Sequence, residues 1–165
     1  MNTGLDVRGA YNSLLVKERE EHNLAFSTRY GLFEPTVMQF GTTHAPADFQ
    51  GYINNTIREA LDDFASAYLD DILIYTDSEE EHDEHIKWVM QRHFEAGLYL
   101  KPEKCEFHKV TVTYMGLIIS KKGISMNEDK IEMVKSWSGE KKMKNGRLNN
   151  QFEEQQAFEF CNYYR

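Results

Sequence analysis

The sequence has almost no cysteine: Cys105 and Cys161 stand far apart, with no CxxC or Cys/His ligand spacing around either. That scarcity argues against a disulfide framework or a structural zinc site and fits free thiols in a reducing compartment. Long hydrophobic runs are lacking too. Every apolar stretch is short and interrupted by charge, so neither a spanning segment nor a membrane partner is expected. The opening MNTGLDVRGA has neither the basic nor the apolar region of a secretory signal. No GxxxxGK phosphate loop, no Ser or Cys nucleophile arrangement and no internal repeat occurs. Positive charge is not in excess either. The net charge of −8 and pI near 5.3 argue against binding nucleic acid by bulk attraction. The charge is nevertheless uneven. Residues 77–84 (DSEEEHDE) are acidic, whereas Lys121, Lys122, Lys130, Lys135, Lys141, Lys142, Lys144 and Arg147 make the last third basic. Taken alone, each run reads as a solvated helix start or a solvated tail.

The 165 residues suffice for one modest domain, or one and a half subdomains of something larger. Residues 5–16 mix strand-like positions with a Gly-Ala-Tyr turn. Residues 24–40 carry β-branched and aromatic residues broken by Gly31 and Pro35, the pattern of a hairpin or short meander. From Pro46 the period becomes helical, with Phe49, Ile53, Ile57, Ala60, Leu61 and Phe64 on one stripe. FASAYL and ILIY, joined by two aspartates, predict a β-hairpin. Ser78 and Glu81 form a capping box that opens a helix with Ile86, Val89, Met90 and Phe94 on its apolar face, stopped by Gly97. Residues 110–120 read as strand, Gly123 as a turn, and about 127–137 as another helix. Residues 138–150 read as an exposed loop and 151–165 as the opening of a helix. This order predicts an α+β fold, a sheet with helices on one face.

Asp70 and Asp71 are the first candidates for chemistry. At ~4 Å and an effective dielectric of ~20, two like charges repel by roughly 4 kcal/mol. A site that keeps both ionised needs a cation, and carboxylate oxygens suit magnesium. Aspartate is also a common turn residue, and Asp62-Asp63, at the polar end of the expected helix, shows how little the dipeptide means alone. A third carboxylate, Asp6, follows an apolar residue near the end of another expected strand. Together the three make the ligand set of a two-metal site, provided the strands are neighbours. His82 and His85, three apart, read as an exposed polar face more readily than as metal ligands. His108 near Cys105 has no further ligands close in sequence.

Five motifs occur in order: LDVRGAYN at 5–12, VMQFGTTHAPADFQ at 37–50, YLDDILIY at 68–75, GLYLKPEKCEFHKVTVTYMGLIIS at 97–120, and QQAFEFCNYYR at the end. Together they resemble the reverse transcriptases of gypsy-type LTR retrotransposons, over nearly the whole chain from residue 5 to about 137. The resemblance implies a right-hand polymerase palm, an antiparallel sheet with helices on one face, with truncated fingers and thumb. Residues 1–13 would be the palm's first catalytic strand and 14–44 partial fingers. Residues 45–119 would be palm with the YLDD hairpin and primer grip, and 120–165 the start of the thumb with an inserted loop. The implied activity is RNA-directed DNA polymerisation, deoxynucleotidyl transfer to a primer 3′-hydroxyl. Asp6, Asp70 and Asp71 would be the catalytic, metal-binding carboxylates for two Mg2+ ions, with Mn2+ as a substitute.

By the same resemblance, Val7, Arg8, Gly9 and Ala10 would approach the nucleotide triphosphate. Tyr11 would be the gate that excludes a ribose 2′-hydroxyl, its alternative being a core aromatic. Phe40 would line the nucleotide pocket, its alternative a buried hairpin residue. Tyr114, Met115 and Gly116 would form the primer grip. The implied partners are an RNA or DNA template with primer, deoxynucleoside triphosphates and the remaining polyprotein domains: fingers, thumb, RNase H and integrase. The implied location is intracellular, either cytoplasmic in particles or nuclear. Gln39, Thr42, His44 and Asp48 depart from the family's VMPFGLTNAPATFQ, and AFEF departs from FLGF. An inactive element remnant or a domesticated nucleic-acid- or protein-binding fragment is the competing reading. An RNA-dependent RNA polymerase, which shares the palm logic, is disfavoured by Tyr68 and the bulky Tyr11.

Overall fold

The computed structural model describes residues 1–137, 143–144 and 147–148. Its centre is an antiparallel sheet of four strands in the order β4-β5-β1-β6. These are β1 (Asn2–Asp6), β4 (Ala65–Tyr68), β5 (Asp71–Tyr75) and β6 (Glu106–Lys109). A two-residue connection, Leu69-Asp70, joins β4 to β5, so that Tyr68 pairs with Asp71. β1 enters between β5 and β6, with Thr3 opposite Ile74 and Asp6 opposite Asp71.

Side chains alternate across a strand. Thr3, Leu5 and Val7 of the first segment therefore share one face with Ile72 and Ile74 of β5, and all are buried. Helix α1 (Ala45–Thr56) covers this face with Phe49 and Ile53, and helix α2 (Glu79–Glu95) covers it with Ile86 and Val89. Burying each such side chain contributes about 1.5–3 kcal/mol, so this layer is the fold's main support. The expected α+β palm, with helices on one face, is what forms. The opposite face carries Gly4, Asp6, Asp71 and Leu73, with β7 (Thr111–Tyr114) lying near β1 and β5. β7 continues into β8 (Leu117–Ser120) and β9 (Gly123–Met126), and helix α3 (Glu128–Trp137) follows. A separate hairpin, β2 (Phe26–Thr28) and β3 (Gly31–Phe33), projects from residues 14–44 with its residues exposed. β10 (Met143–Lys144) pairs with β11 (Arg147–Leu148) inside the expected loop. The expected helix at 151–165 lies outside the described residues.

Several expectations are corrected. The helix from Pro46 ends at Thr56, although Ile57 and Ala60 beyond it remain fully buried. Asp62 then takes φ +65° in the turn before β4, a conformation aspartate tolerates, instead of sitting at a helix end. On α2, Met90 and Phe94 are exposed, and the buried stripe is His82, Ile86, Val89 and His93. His82 is neither on an exposed face nor a ligand. Its Nε2 lies 2.8 Å from Thr3 Oγ1 and its Nδ1 3.1 Å from Thr76 Oγ1, so both ring nitrogens are satisfied inside the core. His85 is half-buried, stacked on Phe64 with ring centroids 3.7 Å apart. His108 Nε2 meets Asp83 Oδ1 at 3.1 Å. Among the described residues no three His, Cys, Asp or Glu side chains are grouped to hold a metal.

Burial holds the His82 and His93 imidazoles below their ordinary range. His108, the chain's amino terminus and His85 add to the effect at His82, where Asp83 opposes it; the Val89 carbonyl opposes it at His93. An unfolded imidazole titrates near about 6.5, so below that value the unfolded chain binds more protons than the folded one. The stability contributed by these groups is complete above that pH and is lost as pH falls through their lowered folded values. The urea midpoint is expected to drop between about pH 7 and 5, and His93→Leu should flatten that drop. An unchanged slope in the variant would remove His93 from the account.

Candidate active site

The carboxylate face is built by register. Asp6 ends β1 and Asp71 begins β5, directly opposite each other across the ladder, and Asp70 occupies the turn just before Asp71. The backbone seals this corner, because Val7 N–H donates to the Asp70 carbonyl at 2.8 Å. Burial pushes the Asp71 carboxyl above its usual range, and the negative charges of Asp70 and Asp6 add to that; Lys104 and Lys101 pull against it. The register of β1 with β5 thus makes the three aspartates neighbours, the condition the sequence pattern left open.

Two lysines face Asp6. Lys101 Nζ lies 2.6 Å from Oδ1 and Lys104 Nζ 3.4 Å from Oδ2. These side chains belong to the segment after α2, which a Leu100–Val7 bridge ties to the sheet. Beside Lys104 opens a cleft of about 650 Å³, lined in part by Asp6, Asp71, Lys104, Thr113 and Tyr114. A larger cleft, about 1030 Å³, lies between residues 14–24 and α1, away from the carboxylates.

The donor set fits magnesium in kind. Its oxygens are hard carboxylate oxygens, and the Asp71 carboxyl, raised first by burial and then by the charges of Asp70 and Asp6, is one that a divalent cation would favour in its ionised form. The three aspartates are not a closed cage among the described residues. Magnesium is usually held by one or two carboxylates plus substrate phosphates, so a cage is not required.

The YLDD turn is unusual because Leu69, a non-glycine residue, takes φ +51°. Gln50 of α1 braces it: its Oε1 accepts from Leu69 N–H at 2.8 Å, while its Nε2 donates to the Ala67 carbonyl at 3.1 Å and to Asn54 Oδ1 at 2.8 Å. Sequence reasoning quoted Gln50 only as a motif letter. A polar residue one position beyond the buried Phe49 was the available signal.

Tyr11 sits in a short 3-10 turn, its ring edge-on to Phe40 at 5.0 Å and to Phe49 at 5.7 Å. Phe40 is 73% exposed and Phe49 fully buried, so Tyr11 bridges core and surface. The reading of Phe40 as a buried hairpin residue therefore does not hold. Gly9 takes φ +59° in the turn after β1. Val7 is fully buried, and Arg8 N–H donates to the Tyr99 carbonyl at 2.7 Å. The N–H groups of Val7 and Arg8 are thus engaged within the fold.

Met115 and Gly116, at φ +53° and +77°, form the two-residue turn between β7 and β8. Two positive φ values match the twist of such a hairpin. They also place a strained methionine at the turn's tip. Tyr114 Oη lies 3.3 Å from Ser66 Oγ, which ties this turn to β4.

Comparison with known proteins agrees with this architecture. Residues 1–119 match the family model described as "Reverse transcriptase (RNA-dependent DNA polymerase)". Over 142 residues, 86% of the chain, it is 41% identical to the Transposon Tf2-3 polyprotein of Schizosaccharomyces pombe. It is 39% identical over the same length to the Tf2-7 polyprotein of that organism. The chain spans about 11% of the length of these polyproteins. Among solved structures, the foamy viral protease-reverse transcriptase in complex with an RNA/DNA hybrid superposes with a TM-score of 0.82 at 18% identity, covering 99% of this chain and 21% of that one. The same viral protein with dsDNA gives 0.79 at 19% identity, covering 99% and 32%. With the palm sheet, the facing aspartates and these matches together, the chain belongs to the reverse transcriptase (RNA-dependent DNA polymerase) family.

Proposed function

We propose that this chain is the palm-centred part of a reverse transcriptase from a gypsy-type LTR retrotransposon. Its reaction is template-directed transfer of a deoxynucleotide to a primer 3′-hydroxyl. The observation that carries this reading is the direct register of Asp6 with Asp71 beside the Asp70 turn, on a chain of this family. In this reading residues 1–13 and 45–119 are palm, 14–44 belong to the fingers, and 120–165 begin the thumb.

Asp6, Asp70 and Asp71 would hold magnesium, with manganese as a substitute. When bound, the metal neutralises phosphoryl charge and lowers the pKa of the attacking hydroxyl. The chain's own groups supply position. The Met115-Gly116 turn sets the primer end, Gly9 and Ala10 receive the triphosphate, and Tyr11, wedged between Phe40 and Phe49, closes the sugar side of the nucleotide pocket. Template with primer, deoxynucleotides and the other polyprotein domains are the partners this implies. Solved relatives bound to RNA/DNA hybrid and to dsDNA support the first of these.

The test is metal-dependent primer extension by a polypeptide that includes this chain, with and without Tyr11→Ala. The parent is expected to extend with deoxynucleotides, and the variant to accept ribonucleotides as well. A parent that never extends a primer would overturn the polymerase reading, and unchanged sugar selectivity would remove Tyr11 from the gate.

A further inference from the structure

Lys101 grips Asp6 at two points. Its backbone N–H donates to the Asp6 carbonyl at 2.9 Å, and its ammonium stands 2.6 Å from Asp6 Oδ1. The segment around it is tied down on both sides. Leu100 bridges to Val7, the Tyr99 carbonyl accepts from Arg8 N–H, and Cys105 Sγ donates to the Lys101 carbonyl at 3.2 Å. The pair is well covered, with side-chain exposures of 25% for Lys101 and 14% for Asp6. Lys104 is a looser second neighbour, 3.4 Å from Oδ2 and 60% exposed.

An ammonium and a divalent ion on one carboxylate oxygen repel each other at close range, so the two compete for Asp6 Oδ1. A metal that binds through Asp6 Oδ1 therefore favours withdrawal of Lys101, whose four-carbon stem lets the head move while the backbone stays fixed. We propose that Lys101 is a built-in counter-cation that holds Asp6 until a divalent ion arrives, a positioning residue that sets how tightly the metal binds. This inference rests on the reading of Asp6 as a metal-binding carboxylate. Before metal arrives, the ammonium offsets part of the repulsion among Asp6, Asp70 and Asp71. Once metal is bound, the freed lysine is a mobile cation beside the cleft. The displacement weakens apparent metal affinity, because only the fraction of molecules with Lys101 withdrawn is competent to bind.

The experiment is a Mn2+ titration of the full chain, followed by electron paramagnetic resonance of the free ion, together with thermal melts in EDTA and in Mn2+. Lys101→Met and Lys101→Gln are expected to bind Mn2+ on the order of tenfold more tightly than the parent. Lys101→Arg should keep the parent's affinity, and Lys104→Met should change it less than Lys101→Met. In EDTA the two neutral variants should melt below the parent, and Mn2+ should raise their Tm by more. Asp6→Asn should weaken binding and erase the difference between Lys101 and its variants. Neutral variants that bind Mn2+ no more tightly than the parent, while Asp6→Asn still weakens binding, would overturn the counter-cation role and leave the metal reading standing. Binding indifferent to Asp6→Asn in every background would overturn both.

Discussion

Asp71→Asn is expected to lower nucleotide incorporation by at least about a thousandfold in a polypeptide containing this chain, and at the same time to raise its melting temperature. The two effects share one origin. Asp71 begins β5 opposite Asp6, and its carboxyl is pushed up first by burial and then by Asp70 and Asp6. A carboxyl raised in the folded state binds protons better there than in the unfolded chain. As pH rises from about 4 through that raised value, stability is therefore lost, the reverse of a salt-bridged aspartate. Asparagine keeps the shape and removes the charge. Asp71 is only partly covered, so solvent screening keeps the gain in Tm small. In the proposed reading, the same change removes a metal-ligand oxygen whose charge the chemistry needs. Calorimetry beside primer extension checks both halves. A variant that loses activity and also melts lower would show that Asp71 is held by favourable contacts, contrary to the environment described above.

Phe49→Ala is expected to destabilise the fold by about 3–5 kcal/mol, a large share of what a domain of this size has to lose. Phe49 is completely buried, lies with Ile53 on the inner side of α1, and meets Tyr11 edge-on. Truncation leaves a cavity beneath Tyr11 as well as a gap between helix and sheet. Phe49→Leu should cost less than half as much while still loosening the ring of Tyr11. Urea unfolding measures the first effect, and the fluorescence of tyrosine the second. A change below about 1 kcal/mol for Phe49→Ala would mean that α1 is not the main cover of the sheet.

Much of the fold is legible in the residues because each signal is local. Pro46 marks the start of α1, Ser78 caps α2 by accepting from Glu81 N–H, and the alternating run around Asp70-Asp71 makes the hairpin. What escapes is what depends on neighbours. β6 is wholly exposed and has no apolar alternation, so only its pairing with β1 makes it a strand. The inner face of α2 turns on His82, which looks polar in a sequence and is buried because Thr3 and Thr76, from two different segments, meet its nitrogens. The aspartates could be nominated from the sequence, but their juxtaposition depends on β1 pairing with β5. Lys101 had no signal at all: nothing in LKPEK announces that its ammonium reaches Asp6.

The strand order has a consequence for synthesis. β1 is made first, yet its two partners are β5 and, about a hundred residues later, β6. At ribosomal speeds of roughly 5–20 residues per second, it waits for roughly 5–20 s before both edges can be covered. A bare strand in that interval is a template for pairing with another nascent chain. Gly4 in its middle and the charge of Asp6 at its end both weaken it as such a template. The charge that faces Asp71 in the finished sheet thus also disfavours premature pairing of the early strand.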